Sequence, residues 1–212
     1  MGQGRLWLRV EFAALYLLAP VTMALVLPPR ALFPMLFLLT GVGLVLLHRT
    51  PGFSWASLLR GRVRWGQLAL FTLGTALLAW AVLRWMAPGQ AFFLLHYQPE
   101  LLAMIWALYP VLSALPQEIV FRPLFFRRYG VILPGGPAIM VLNAAVFSLA
   151  HLMYWNAVVA LMTFAGGLVF AHAYHRQQSF PQAVLLHSLA GNVLFTVGLG
   201  IFFYSGNVAR PF

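Results

Sequence analysis

The chain has 212 residues, 62% hydrophobic and only 8% charged, with a mean hydropathy of +0.88. A soluble domain carries roughly 25% charged residues, so the composition excludes a water-soluble globule and predicts an all-α polytopic membrane bundle, one domain over residues 1–212. All thirteen basic residues are arginine, the net charge is +10, and there is no cysteine, which excludes disulfides, thiol catalysis and cysteine-held zinc.

Arg5 and Arg9 precede a first apolar run, at residues 12–27. Pro28-Pro29-Arg30 is a poor signal-peptide cleavage site and another apolar segment follows, so the run reads as a retained helix. Further spans are expected at 31–47, 67–86, 101–127, 137–153, 157–174 and 182–204, seven in all. The three-residue link between the first two predicts a helical hairpin. The connection from His48 to Gly66 alternates Phe53, Trp55, Leu58 and Leu59 with Arg49, Arg60, Arg62 and Arg64. It reads either as an interfacial segment on anionic lipid or as a plain basic loop.

A cytoplasmic N-terminus puts ten arginines (5, 9, 49, 60, 62, 64, 122, 127, 128, 176) on the cytoplasmic side and three (30, 84, 210) opposite. That bias predicts a multi-pass protein with its N-terminus cytoplasmic and, with seven spans, its C-terminus outside; the location expected is a bacterial inner membrane. Arginines at segment ends are topology signals, and no basic, aromatic-interleaved surface is visible, so no nucleic-acid partner is expected. On the sixth span Thr163, Gly167 and Ala171 form a small-residue stripe suited to close helix packing.

Among only three acidic residues, Glu118 alone lies deep within an apolar run. A charge there is costly, which makes it a functional candidate. Arg122 follows four residues later, a favourable helical ion pair. It either merely neutralises Glu118 or tunes a carboxylate that acts on water. Pro123 lacks an N–H and clashes with the carbonyl four back, so a kink or freed carbonyl is expected beside the acid. On the fifth span Asn143, Phe147 and His151 recur every four residues. On the seventh, His187 lies about 140° round the helix from Asn192, at 3.6 residues per turn. Two chemistries use this set. Glu118 can act as general base on water while His, or His with Asn, stabilises the oxyanion. Alternatively Glu118, His151 and His187 can bind a divalent metal such as zinc.

These residues resemble the CAAX-protease and bacteriocin-processing (CPBP, or Abi) family of intramembrane endopeptidases over about residues 100–204. Its motifs are Glu-Glu-x-x-x-Arg, Phe-x-x-x-His and His-x-x-x-Asn on successive helices. Gln117-Glu118-Ile-Val-Phe-Arg122 matches the first except at its first position, Phe147-Ser-Leu-Ala-His151 matches the second, and His187 matches the third with Asn192 one place late. The resemblance implies hydrolysis of a membrane-bound peptide or protein, near a membrane-embedded or prenylated end. It implies a glutamate-dependent site more than a metal-dependent one, so no cofactor is expected. Catalytic roles then fall to Glu118, His151, His187 and Asn192, with Gln117, Arg122, Asn143 and Phe147 in support. The family's water-activating acid is the first Glu, here Gln117. Either Glu118 takes over with Gln117 as an amide donor, or the chain is a silent scaffold of the same fold. A proton relay or transporter is a third class, but no inverted repeat is visible. His151 falls near the far end of a short span, about 10 Å out of plane at 1.5 Å per residue. A sunken Leu133–Pro137 turn and a wet cavity among the fourth, fifth and seventh spans would bring it in.

Overall fold

The computed structural model describes residues 2–212, and the described residues form helices and connecting turns without strands. Among the described residues, six helices have the length and composition to cross a membrane: α1 (Gly4–Leu25), α2 (Pro29–His48), α3 (Trp65–Met86), α4 (Pro99–Arg128), α6 (Ala157–His175) and α7 (Phe180–Val197). The shorter α5 (Ala138–Tyr154) lies between α4 and α6. The polytopic helical bundle expected from composition is therefore observed. The seventh helix ends earlier than its apolar run because Gly198 takes a left-handed turn, φ 108°. A β-carbon there would stand 2.0 Å from the Gln90 carbonyl oxygen, so only glycine fits.

α4 positions the site. Its 30 residues would span about 45 Å at 1.5 Å per residue, longer than a hydrocarbon core. It contains Pro110, Pro116 and Pro123, and it accommodates two of them by widening to π-helix at Pro110–Ala114 and Val120–Arg128. Side chains from other helices meet carbonyls of this irregular backbone. The Tyr16 hydroxyl on α1 donates to the Val120 carbonyl at 2.7 Å. The Asn143 amide on α5 donates to the Phe121 carbonyl at 2.7 Å. Irregular backbone at membrane depth persists where neighbours satisfy it in this way.

Aromatic residues of α1 and α4 pack beside that seam: Phe12, Tyr16, Phe121, Phe125 and Tyr129 sit with ring centroids 5.0–5.8 Å apart. At one end Arg128 clasps Glu11 through two bonds of 2.7 and 2.9 Å. The small-residue stripe does the packing expected of it. A β-carbon on Gly167 would lie 3.1 Å from the Ala144 backbone of α5 and 3.2 Å from the Phe147 ring. The Asn156 side chain caps α6 by accepting from the Val158 and Val159 N–H groups.

The basic connection before α3 is pinned rather than loose. Its Trp55–Leu59 segment forms a 3₁₀ turn, Gly61 with φ 106° lies against Ser179, and the Arg64 N–H donates to Gln182 Oε1 at 2.9 Å. The Pro134–Pro137 turn is exposed, not sunk into the protein. α5 reaches the site by its brevity instead: its regular part ends at Leu149, and His151 stands just past that end.

Candidate active site

Glu118 and Arg122 are one turn apart on α4, and both are 0% exposed. Arg122 Nε donates to Glu118 Oε2 at 2.8 Å and Nη2 to Oε1 at 3.2 Å, so the guanidinium grips both carboxylate oxygens. The remaining Nη1 donates to Asn143 Oδ1, and the Arg122 plane lies over the Phe147 and Phe170 rings at 5.1 and 5.7 Å. The pair is formally neutral and well supplied with partners, which makes it tolerable in an apolar bundle.

α7 brings the next member. His187 Nδ1 lies 3.0 Å from Glu118 Oε1. An ionised carboxylate only accepts, so Nδ1 carries the proton and donates it. The imidazole stacks on Phe170 (5.0 Å, 12°) and stands edge-on to Phe147 (5.5 Å, 89°), which fixes its plane. Its Nε2 lies 3.1 Å from the Tyr109 hydroxyl. With Nδ1 protonated, neutral His187 accepts at Nε2 and Tyr109 donates. His151, on the last turn of α5, places its Nδ1 2.8 Å from the Phe147 carbonyl. That carbonyl also only accepts, so His151 keeps a bare Nε2. The Phe147 ring lies between the two imidazoles, 4.8 Å from His151. One aromatic side chain thus bridges the two histidines.

A cavity of about 1090 Å³ opens beside this cluster. Tyr109, Ser113, Gln117, His151, Tyr154 and His187 line it among mostly apolar neighbours. It is bounded by the three helices expected and also by α1, α2, α3 and α6. Gln117 faces it with its Nε2 given to Ser113 Oγ at 3.0 Å, leaving Oε1 as an acceptor. Glu118 does not reach it. The carboxylate's link to the cavity is the His187 ring.

Asn192 lies apart from this cluster. Its Nδ2 donates to the Trp106 carbonyl at 3.4 Å, the carbonyl that Pro110, four residues on, cannot serve with an N–H. The regular α7 turns its neighbour Gly191, not Asn192, toward Tyr109. The alternative metal set does not converge: among the described residues no three His, Asp or Glu side chains form a metal-holding group. Both Glu118 oxygens are also already taken by Arg122 and His187. Motif spacing did not find Tyr109. Its one signal is the glycine a turn beyond His187, a gap that some other side chain had to fill.

Residues 99–194 match the family model described as type II CAAX prenyl endopeptidase Rce1-like. Comparison with curated proteins and with solved structures returned no match. The matched stretch contains every polar residue of the cluster, from Tyr109 to His187, and its similarity to the Rce1-like model is consistent with the resemblance to the CAAX-protease family carried by the three motifs.

Proposed function

We infer that the chain is an intramembrane endopeptidase that hydrolyses a membrane-associated peptide in the α4–α7 cavity, with Glu118 acting through His187. The observation carrying this reading is the chain Arg122–Glu118–His187, which ends at the cavity wall in an unprotonated Nε2 capped by the Tyr109 hydroxyl. Water reaching Nε2 gives up a proton as its oxygen attacks the scissile carbonyl. The imidazolium so formed faces a carboxylate 3.0 Å away. A proton taken up by His151 would face only a backbone carbonyl, with no countercharge in an apolar cavity. His187 is therefore the better base, and Glu118 is the acid on which the reaction depends. The acceptors His151 Nε2 and Gln117 Oε1 line the same cavity and are suited to holding the attacking water. Return of the proton from His187 to the leaving nitrogen completes amide hydrolysis.

Glu118→Gln keeps the volume of the side chain and removes the charge. The variant leaves the buried Arg122 without its countercharge and loses stability by about 3–5 kcal/mol; in the fraction that a thermal melt shows folded, cleavage falls by about 10²–10⁴-fold, the usual worth of acid–base catalysis. Mass spectrometry of membrane-peptide termini in cells carrying wild type or Glu118→Gln checks this; identical termini would sink the proposal. Gln117 is the feature that favours the second reading, a silent scaffold, and the same comparison decides between the two.

A further inference from the structure

Tyr109 is a cavity-facing hydrogen-bond donor that no motif assigns. It is the last residue of the regular first part of α4 (Pro99–Tyr109), immediately before the π-helical turn that begins at Pro110. On α7, residue 191 lies one turn beyond His187 on the same face, and it is glycine. A β-carbon there would stand 2.1 Å from Tyr109 Cε1, 2.3 Å from Cζ and 2.7 Å from the hydroxyl oxygen. The phenol therefore occupies the space that a side chain at 191 would fill, and its hydroxyl sits 3.1 Å from His187 Nε2. The ring is held edge-on by His187 at 6.0 Å and by Phe195 at 6.1 Å. Asn192, one place later and the residue to which the resemblance would give this role, is turned to the Trp106 carbonyl instead.

The geometry points to Tyr109 as a catalytic residue: its hydroxyl donates to the oxyanion of the tetrahedral intermediate, in the place of a side chain at position 191. The inference rests on the proposed peptidase reading. At rest the phenol caps His187 Nε2. When water and substrate enter, water takes Nε2 and the freed hydroxyl turns to the substrate carbonyl oxygen. A water O–H bond breaks and its proton moves to Nε2. The water oxygen bonds to the carbonyl carbon, and the C=O π pair moves onto oxygen, where it accepts the Tyr109 O–H. Collapse re-forms C=O, breaks C–N and sends the Nε2 proton to the departing amine. Tyr109 keeps its proton throughout, and water plus amide yields acid plus amine.

The test uses the full chain in lipid nanodiscs and a fluorogenic prenylated CAAX peptide. Tyr109→Phe should lower kcat by about 10²–10³-fold, as loss of an oxyanion donor does, with KM unchanged. Gly191→Ala should displace the ring and lower kcat alike, and the two together should cost no more than either alone. Tyr109→Ala with Gly191→Asn, which clears the ring and supplies an amide N–H, should regain part of the loss seen in Tyr109→Ala. A purely structural tyrosine would not give that rescue. Wild-type kcat in Tyr109→Phe, a change confined to KM, or no rescue overturns the assignment of Tyr109 while Glu118→Gln remains inert. An active Glu118→Gln, or a wild type that leaves the peptide intact, overturns the peptidase reading beneath it.

Discussion

At the scale of single residues, the Glu118–Arg122 pair decides whether the site can exist in an apolar bundle. Neither side chain has any exposed surface, and a buried charge stripped of its partner is costly. Arg122→Leu should destabilise the fold by about 3–5 kcal/mol, read as a fall in Tm of the purified protein. Arg122→Lys should recover only part of it, because an ammonium cannot grip both carboxylate oxygens and reach Asn143 at once. An intact Tm in Arg122→Leu would mean that Glu118 has another countercharge. Most of this cluster was legible in the sequence. Spacings of four residues put Glu118 over Arg122, and Asn143, Phe147 and His151 in a row, and a lone acid in an apolar run announces itself. Tyr109 was not legible, because a tyrosine in an apolar helix has no spacing rule and its partner lies 78 residues away. Nor did the sequence tell which acid oxygen faces what; that depends on how α7 docks.

At the scale of elements, α4 departs from regularity, and its irregular backbone meets donors supplied by other helices. Tyr16 belongs to α1, outside the matched segment, yet its hydroxyl reaches the Val120 carbonyl inside the π-helical turn. Tyr16→Phe should cost about 1–3 kcal/mol, the price of leaving a buried polar group unpaired, and should lower activity by loosening Glu118 two residues earlier. A thermal melt beside a cleavage assay checks both. Pro123 signalled a disturbance, but whether it would be a kink or a π-turn depends on neighbours that one helix cannot reveal. The α5–α6 contact makes a matching point for small residues. Gly167→Leu must displace the Ala144 backbone, 3.1 Å from where its β-carbon would lie, and overpacking of this kind costs about 1–3 kcal/mol. The fifth helix was misjudged in one respect. Its short apolar run was read as needing a sunken Leu133–Pro137 turn, whereas the regular part of the helix ends at Leu149 and His151, in the irregular turn that follows, bonds back to Phe147.

At the scale of the whole molecule, hydropathy was enough to show a polytopic helical bundle, of which six helices among the described residues are long enough to cross a membrane and the fifth apolar stretch forms a shorter one. Orientation rests on arginine placement. Reporter fusions should find the N-terminus and the 48–66 connection cytoplasmic and the C-terminus outside, with the reverse pattern refuting that assignment. The cavity was expected from the need to bring His151 level with Glu118. Its extent was not, because a wall drawn from all seven helices is a property of their packing and not of any one segment.

That cavity has a kinetic consequence. Its wall is mostly hydrocarbon, yet on the proposed peptidase reading one of the two reactants is water. In such a chamber water is a scarce reagent, and the rate depends on how often a molecule is retained long enough to react. The few polar groups on the wall, Ser113, Gln117, Tyr154 and His151 among them, then work as a hydration relay as well as a scaffold. Ser113→Ala should slow turnover without weakening peptide binding, and the deficit should deepen as osmolyte lowers the activity of water. On the proposed reading, hydrolysis is set by supply of the smaller reactant, and the apolar lining suited to a greasy peptide is the same feature that rations it.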